Sequence, residues 1–303
     1  MRKLANWTRR FAVRGVFWRQ YLDWALFNVP FYFLPLLIWF WTTFFFFFAA
    51  PARRAVLSNL EVILPSSSRL MNCLRAWRTI YNFAWTLAEG SHYKLNKSHF
   101  VYEIEGADAL ESLAAAKSAI VLTAHMGNYD LGAALFAEKF QREIRMVRAL
   151  EPDRQTARHL DEALAKTGSG AVRVDYTTNT ASLSFDLLQA LRQNEIVSIQ
   201  GDRAVAGAAR APAKLFGGEA DLPTGPFILS QIAEAPIFPL FIVRLGYRHY
   251  KIIVREPIVC ERSGATRDEN VSAALQQWST TLQEVIAHHW DQWYAFVPTF
   301  SSK

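Results

Sequence analysis

The feature that most constrains the fold is a short apolar segment that runs through a histidine-containing turn directly into a helix. Residues 118–123 are rich in Ile, Val and Thr and predict a buried strand. Met126-Gly127-Asn128 interrupts this pattern, and Tyr129–Phe140 has the pattern of a helix. A strand followed at once by a helix is typical of α/β sheets, which bind ligands at the carboxyl ends of their strands. His125 is therefore predicted to lie at a ligand-binding edge.

The remainder of the chain repeats this alternation of strands and helices. Further strands are predicted at 101–105, 144–150, 171–175, 195–200, 237–244 and 250–256, and helices at 53–64, 69–89, 107–117, 152–166, 180–193, 224–234 and 267–290. Gly90 is expected to close the second of these helices. We predict an α/β fold with a mostly parallel central sheet flanked by helices. No repeat or linker divides residues 56–303, which we assign to one domain that follows an amino-terminal segment, residues 1–55.

The amino-terminal segment is predicted to form a hydrophobic helix at a membrane. From residue 24 to residue 52, 29 residues, the chain carries no charged side chain, and about 20 apolar residues are enough to span a bilayer. The stretch is too long for a signal peptide and lacks a clear cleavage site. Basic residues before it place the amino terminus in the cytoplasm. Because Pro30 and Pro35 kink helices and Arg53 and Arg54 resist a crossing, we favour a kinked, re-entrant or interfacial helix over a straight span.

Charge and cysteine content narrow the class of partner. The net charge is +6, which suits nucleic acid, anionic lipid or an acidic carrier protein. The sequence has no zinc-finger spacing, aromatic RNA-binding signature or dense Lys/Arg helix, so no nucleic-acid partner is predicted. Cys73 and Cys260 are far apart in sequence, which argues against a disulfide framework or a metal clip and suits a reducing compartment.

The strongest candidate for catalysis is His125 with Asp130. Asp130 falls in the first turn of the predicted helix, close enough to fold back onto the imidazole. A histidine that accepts a proton needs a carboxylate on its other nitrogen to fix the tautomer and to stabilise the cation. The alternative for such a spacing is a surface pair or a helix cap.

A second strand end places an acid and a base beside this histidine. Gly201, Asp202 and Arg203 follow the predicted strand 195–200, so in a parallel sheet they share the edge of His125. Arg203 is a candidate for binding an anionic group or for stabilising a carbonyl oxygen. Asp202 is a candidate for orienting Arg203 or a substrate. An exposed loop ion pair is the alternative.

Further candidates for binding an oxyanion or a substrate are more dispersed. They are Arg148 at the end of a strand, Asn128 beside the histidine, and Thr224 with Gly225 at the start of an apolar helix. Thr224 is expected to cap that helix and to leave backbone N–H groups free for an oxyanion or a phosphate, although turn formation alone explains these residues as well. No metal site is predicted, since the adjacent His288 and His289 point in different directions on a helix.

Several blocks of the chain resemble one enzyme family. His125 and Asp130 resemble the His-x4-Asp motif of glycerolipid and lysophospholipid acyltransferases, and their surroundings resemble the bacterial lipid A biosynthesis (lauroyl/myristoyl) acyltransferase branch. Other blocks occur in the order of that branch: Arg53 to Pro65, Asp202-Arg203, Phe216-Gly217 with Thr224-Gly225-Pro226 and Ala235-Pro236, and Gln292-Trp293-Tyr294. The chain departs from the branch at Met146-Val147-Arg148, where the family carries Val-Tyr-Arg, and near Arg158, so the acceptor stays open.

The resemblance implies a membrane-associated enzyme that transfers a fatty acyl group from acyl carrier protein or coenzyme A to a hydroxyl or amine of a lipid or glycolipid. It implies that His125 removes the proton of the acceptor, that Asp130 orients His125, and that Arg203 with Arg148 or backbone N–H groups stabilises the oxyanion. No cofactor is expected beyond the acyl thioester co-substrate. The implied location is the bacterial inner membrane, with the catalytic domain on the cytoplasmic side, where acyl donors are found.

Three questions remain open at the level of sequence. The acceptor is a lipid A precursor, a lysophospholipid or an aminolipid. The length of the acyl chain depends on the depth of a pocket. The same fold also suits a membrane-tethered lipid-binding or scaffold protein without catalysis, or a thioesterase that uses the His-Asp pair on water.

Overall fold

A computed structural model of the chain describes residues 16–96, 100–148, 172–177, 180–205, 207–260 and 266–300. The helices are α1 (Val16–Asn28), α2 (Leu34–Phe48), α3 (Ala50–Ile63), α4 (Arg69–Asn96), α5 (Ala107–Ala115), α6 (Tyr129–Phe140), α7 (Thr180–Arg192), α8 (Gly225–Ala233) and α9 (Arg267–His289), with 3₁₀ turns at Phe31–Phe33 and Trp290–Gln292. The strands are β1 (Val101–Glu105), β2 (Ala119–Thr123), β3 (Ile144–Arg148), β4 (Val172–Tyr176), β5 (Ile196–Gln200), β6 (Arg210–Leu215), β7 (Gly218–Pro223), β8 (Ile237–Gly246) and β9 (His249–Val254).

Seven strands form the central sheet, in the order β1-β9-β8-β2-β5-β3-β4. The five strands from β8 to β4 are mutually parallel, whereas β9 is antiparallel to β8 and β1 is parallel to β9. The predicted α/β fold with a mostly parallel sheet is therefore confirmed.

The sheet has a hydrophobic core on each face. In β2, Ile120 and Leu122 pack into the core beneath α7, α8 and α9, while Ala119 and Val121 pack into the core beneath α5 and α6. All of β2 is buried, as a strand covered on both faces requires. Helices α6, α7 and α8 each lead into a parallel strand, so they begin at the edge where those strands end. The loop after β2, which carries His125, and the loop after β5, which carries Asp202, also meet at this edge.

The apolar amino-terminal segment is divided among several helices, so the prediction of one hydrophobic helix is wrong. Pro35 and Pro51 lie in the first turns of α2 and α3, where proline fits but cannot continue a preceding helix. Between these helices the chain bends by 90°. Arg53 stabilises the bend by donating to the carbonyl oxygens of Phe46 and Phe47 at the end of α2.

Within the described ranges, no single helix is both long and apolar enough to cross a membrane; α2 and α3 meet the length and composition criteria only when taken together. Many large side chains of this region are exposed, among them Phe27 (75%), Phe48 (70%) and Leu36 (63%). The sequence placed a kink at Pro30 and Pro35, where α1 ends and α2 begins, but the 90° bend lies further along the chain, between α2 and α3.

Two other predictions of local structure need correction. Helix α4 does not end at Gly90 but continues to Asn96. A Cβ at Gly90 would lie 3.6 Å from Nδ2 of Asn128, which is an ordinary van der Waals contact, so this glycine faces the site without ending the helix. The hairpin of β6 and β7 was not predicted, because its prolines and alternating charges resemble a loop. The predicted helix 152–166 lies outside the described residues.

Trp278 in α9 joins the core to the edge of the sheet. Its side chain is fully buried, its ring stacks on Phe241, and its Nε1 donates to the carbonyl oxygen of Gly201 at 3.0 Å. We predict that Trp278→Ala lowers the free energy of unfolding by about 3–5 kcal/mol, because it leaves a cavity and an unpaired carbonyl group. Chemical denaturation measures this change. Phe185→Ala, at a side chain that is 67% exposed, should change it by less than about 0.5 kcal/mol; equal losses would contradict the prediction.

Candidate functional site

The site forms where two neighbouring parallel strands end. Thr123, the last residue of β2, is paired with Gln200, the last residue of β5, and the backbone N–H of Gly201 donates to the carbonyl oxygen of Thr123 at 2.8 Å. His125 and Asp202 each follow these residues by two positions. Their side chains meet, with Nδ1 of His125 2.7 Å from Oδ1 of Asp202.

Asp202 is a buried carboxylate, with 1% of its surface exposed. Burial alone raises the pKa of this carboxyl, but the charge of His125, its hydrogen bond, the charge of Arg203 and a hydrogen bond from Trp293 outweigh burial and lower the pKa to about 2. Because the pKa in the unfolded chain is near 3.8, the ionised group stabilises the fold above that pH and loses this effect as the pH falls towards 2. Asp202 is therefore ionised at neutral pH.

The ionised Asp202 determines which nitrogen of His125 can act as a base. A carboxylate only accepts hydrogen bonds, so Nδ1 must carry a proton. The neutral imidazole then has its lone pair on Nε2, which no described residue contacts by a hydrogen bond. Since 19% of the His125 side chain remains exposed, this nitrogen can accept a proton from a bound molecule.

The carboxyl-terminal residues Trp293 and Tyr294 fix both members of the dyad. Nε1 of Trp293 donates to Oδ2 of Asp202 at 3.1 Å. The backbone N–H of Tyr294 donates to the carbonyl oxygen of His125 at 2.7 Å, and its hydroxyl lies 2.8 Å from Oγ1 of Thr86 in α4. The block was recognised from the sequence, but its contact with the dyad was not, since no local pattern relates residues this far apart.

Gln292 holds the turn that follows the histidine. Its side-chain amide accepts from the backbone N–H of Arg244 at 2.7 Å and donates to the carbonyl oxygen of Arg244 at 2.8 Å. Its own carbonyl oxygen accepts from the N–H of Gly127 at 3.1 Å, and Met126 pairs with Trp293 in an antiparallel bridge. The turn is thus pinned to the end of β8.

The other predicted site residues include Arg203, Asp130 and Arg148. Arg203 is partly buried, its charge acts on Asp202, and it forms no ion pair with a described carboxylate. Asp130 lies in the first turn of α6 as predicted, but its side chain is outside the described part of the structure, so its contact with His125 stays a prediction. Arg148 lies at the end of β3, at the same edge of the sheet.

Asn128 and Thr224 both lie at the starts of helices. Asn128 is buried, and its Oδ1 accepts from the backbone N–H of Leu131 at 3.2 Å, so it caps α6; its contact with a substrate stays a prediction. Thr224 is at the cap position of α8, but its side chain makes no capping hydrogen bond. Gly225 faces open space. Among the described side chains, no three His, Cys, Asp or Glu residues are placed to bind a metal ion together.

An apolar cleft lies beside the dyad, between the sheet and α6. Tyr129 lines the cleft, and its ring centre is 6.0 Å from that of His125. Gly132 makes room for the side chain of Ile242, whose Cδ1 would lie 1.5 Å from an added Cβ. Ala133 also lines the cleft, and Phe136 and Ile144 line the part further from the histidine. The remaining lining residues are Val121, Thr123, Ser198, Leu240 and Ile242.

Comparison with known families decides the class of this protein. The family model of the bacterial lipid A biosynthesis acyltransferases matches residues 5–302, nearly the whole chain. The chain belongs to that family. The resemblance seen in the sequence blocks is confirmed, and membership supports acyltransferase activity at the level of the family. Comparison with individual curated proteins gave no match.

Gly127 gives a test of how the turn after His125 is held against β8. Its φ is +51°, and an added Cβ would lie 1.6 Å from the carbonyl oxygen of Ile242. We predict that Gly127→Ala destabilises the protein by about 3 kcal/mol or more, because strand β8 must move. Gly217→Ala is the matched control, since its φ is +72° but nothing lies within 4 Å of the added Cβ; its effect should be about 1 kcal/mol. Equal losses in thermal or chemical unfolding would show that the contact with β8 is unimportant.

Proposed function

We propose that this chain transfers a fatty acyl group from a thioester of acyl carrier protein or coenzyme A to a hydroxyl or amine of a membrane lipid or glycolipid. The single observation that supports the catalytic part is the hydrogen bond between His125 and the buried, ionised Asp202. The family supplies the reaction class, and a lipid A-like molecule is the first acceptor to test.

The proposed reaction is a direct transfer without an acyl-enzyme. Nε2 of His125 takes the proton of the acceptor hydroxyl or amine while the oxygen or nitrogen attacks the carbonyl carbon of the thioester. Negative charge develops on the carbonyl oxygen, where Arg203 would stabilise it. The carbon–sulfur bond then breaks, and the departing thiolate receives the proton from Nε2. No cofactor is required, because the thioester is already activated.

Asp202 takes the role that the sequence pattern gave to Asp130. It keeps the proton of the imidazole on Nδ1 and stabilises the cation that forms when Nε2 is protonated. We retain Asp130 as a candidate for a second contact at the site. The two acids can be separated by experiment, as described below.

The apolar cleft is the proposed site of the acyl chain. It begins at Tyr129, next to His125, and continues over strands whose side chains are almost all apolar. Burial of each methylene group is worth about 0.8 kcal/mol, so a cleft of limited depth selects among chain lengths. The free space there admits about one water molecule, so the lining side chains must move apart to admit an acyl chain.

The exposed aromatic side chains of α1 and α2 support attachment to a lipid surface. Apolar patches of this kind mark contacts with membranes or proteins, and the bend between α2 and α3 suits an interfacial or re-entrant arrangement. We propose that the protein acts at the cytoplasmic face of the bacterial inner membrane, where both the lipid acceptor and the acyl donor are available.

The first test uses full-length purified variants with lauroyl-, myristoyl- and palmitoyl-thioesters of acyl carrier protein and of coenzyme A, in vesicles of bacterial lipid. We predict that His125→Ala and Asp202→Asn each lower the rate of transfer by a factor of about 10²–10⁴, because the general base or its tautomer is lost. Mass spectrometry of the lipid product measures transfer and identifies the acceptor.

His288→Ala is the control, because that histidine is exposed on α9, where its Nδ1 lies 2.8 Å from the carbonyl oxygen of Glu284. Asp130→Asn should cost less than Asp202→Asn; the reverse order would return the orienting role to Asp130. Free fatty acid as the only product would indicate a thioesterase. Equal transfer by His125→Ala and the wild type would refute catalysis by His125. Binding of acyl chains without transfer by either protein would also refute it.

The cleft gives a separate prediction about chain length. Phe136→Ala should shift the preferred acyl donor to longer chains, and Ala133→Leu should shift it to shorter ones, by about fourfold for each methylene group. Competition among an equal mixture of acyl thioesters, read by mass spectrometry of the product, measures the shift. Phe140→Ala is the control, since Phe140 packs on Phe136 with ring centres 4.7 Å apart but does not line the cleft. An unchanged preference in both cleft variants would exclude this site for the acyl chain.

A further inference from the structure

Glu89 in α4 is a buried carboxylate that the proposed reaction does not use. It is 1% exposed, and both of its oxygens lie 3.2 Å from Nε of Arg244. Its Oε1 also accepts from the backbone N–H of Arg248 at 3.1 Å, and its Oε2 accepts from the hydroxyl of Tyr250. Such a cluster joins α4 to both β8 and β9. A carboxylate buried in this way needs these hydrogen-bond donors to replace its hydration. The carboxylate in turn fixes the positions of the donors.

The first path from Glu89 to the dyad runs through Arg244. The guanidinium of Arg244 lies 4.7 Å from the ring centre of Trp85, so it is held between α4 and β8. The backbone of the same residue is bound through its N–H and its carbonyl oxygen by Gln292. The carbonyl oxygen of Gln292 accepts from the N–H of Gly127, two residues after His125. Three contacts therefore connect the buried carboxylate to the histidine turn.

A second path runs through Tyr250 and Asn128. Tyr250 is fully buried, and burial together with the charge of Glu89 raises the pKa of its hydroxyl, which therefore stays protonated and donates to Glu89. The side chain of Asn128 interacts with that hydroxyl and donates to the carbonyl oxygen of Thr86 at 3.5 Å. Asn128 also caps α6, so this path holds the far end of the same turn.

We propose that Glu89 is a positioning residue for the transfer reaction: it holds the turn Met126-Gly127-Asn128 against α4, β8 and β9, and so keeps His125 aligned with Asp202. This inference rests on the proposed function, because it assigns Glu89 a part in the chemistry of His125. Since Glu89 touches neither the dyad nor the cleft, its loss should lower turnover without weakening the binding of the acyl donor.

The test is Glu89→Gln in the full chain, which keeps the shape but removes the charge. We expect kcat to fall about tenfold or more while KM for the acyl thioester changes less than about twofold. Glu195→Gln is the matched control: Glu195 pairs with Arg145 at 2.9 Å and its side chain is 14% exposed, but it precedes β5, at the end of the parallel strands opposite the dyad. This control should lose stability while its kcat, corrected for the folded fraction, is unchanged.

A double-mutant cycle separates positioning from mere stability. If Glu89 acts through the dyad, adding Glu89→Gln to Asp202→Asn should change the residual kcat by less than about twofold, because the alignment it maintains has already lost its effect. Tyr250→Phe, which removes only the hydroxyl between Glu89 and Asn128, serves as a second variant if Glu89→Gln does not fold; it should lower kcat with KM unchanged.

The inference is overturned if these variants lose activity only in proportion to their unfolded fraction, or if the losses from Glu89→Gln and Asp202→Asn multiply in full. Full transfer by His125→Ala would instead refute the proposed function. Loss of transfer in His125→Ala with normal kcat in both Glu89→Gln and Tyr250→Phe would refute only the role of Glu89.

Discussion

Burial of the Asp202 carboxylate is the constraint that determines how the residues around it are arranged. A carboxylate removed from water is tolerated only when hydrogen bonds and opposite charge replace its hydration. Here His125 binds one oxygen and Trp293 binds the other, and the charge of Arg203 acts on the same group. These partners come from the loop after β2, the end of the chain and the loop after β5. The fold must bring all three together before the carboxylate is stable, so the same contacts that satisfy Asp202 also assemble the dyad.

Helix α4 links the apolar amino-terminal helices to this site. On one side, Trp85 and Ala88 pack with Leu34 and Ile38 of α2. On the other side, Thr86 binds the hydroxyl of Tyr294, and Glu89 binds Arg244. The helix continues past Gly90, which faces the side chain of Asn128. A segment proposed to touch lipid and a dyad proposed to act on lipid are therefore supported by one helix.

The sheet and its flanking helices were predictable because the strand and helix patterns recur many times along the chain. Periodicity identified the strands of the parallel sheet and the helices between them, and strand β2 with helix α6 followed directly from local composition. The hairpin of β6 and β7 was missed because prolines and charges obscured its alternation. The amino-terminal segment was recognised as apolar and as interrupted by Pro30 and Pro35, whereas the 90° bend between α2 and α3 was not placed from the sequence.

By itself, the sequence determined the fold class, the family and the edge of the sheet at which His125, Asp202 and Arg203 gather, because strands alternate with helices along the chain and parallel strands end at the same edge. Only the tertiary structure revealed that Asp202 binds the histidine. A local sequence pattern points to Asp130, which is five residues from His125. It does not point to Asp202, which is 77 residues away. Distance along the chain carries no information about two loops on neighbouring strands. The register of β2 against β5, with Thr123 opposite Gln200, is what places Oδ1 of Asp202 at Nδ1 of His125.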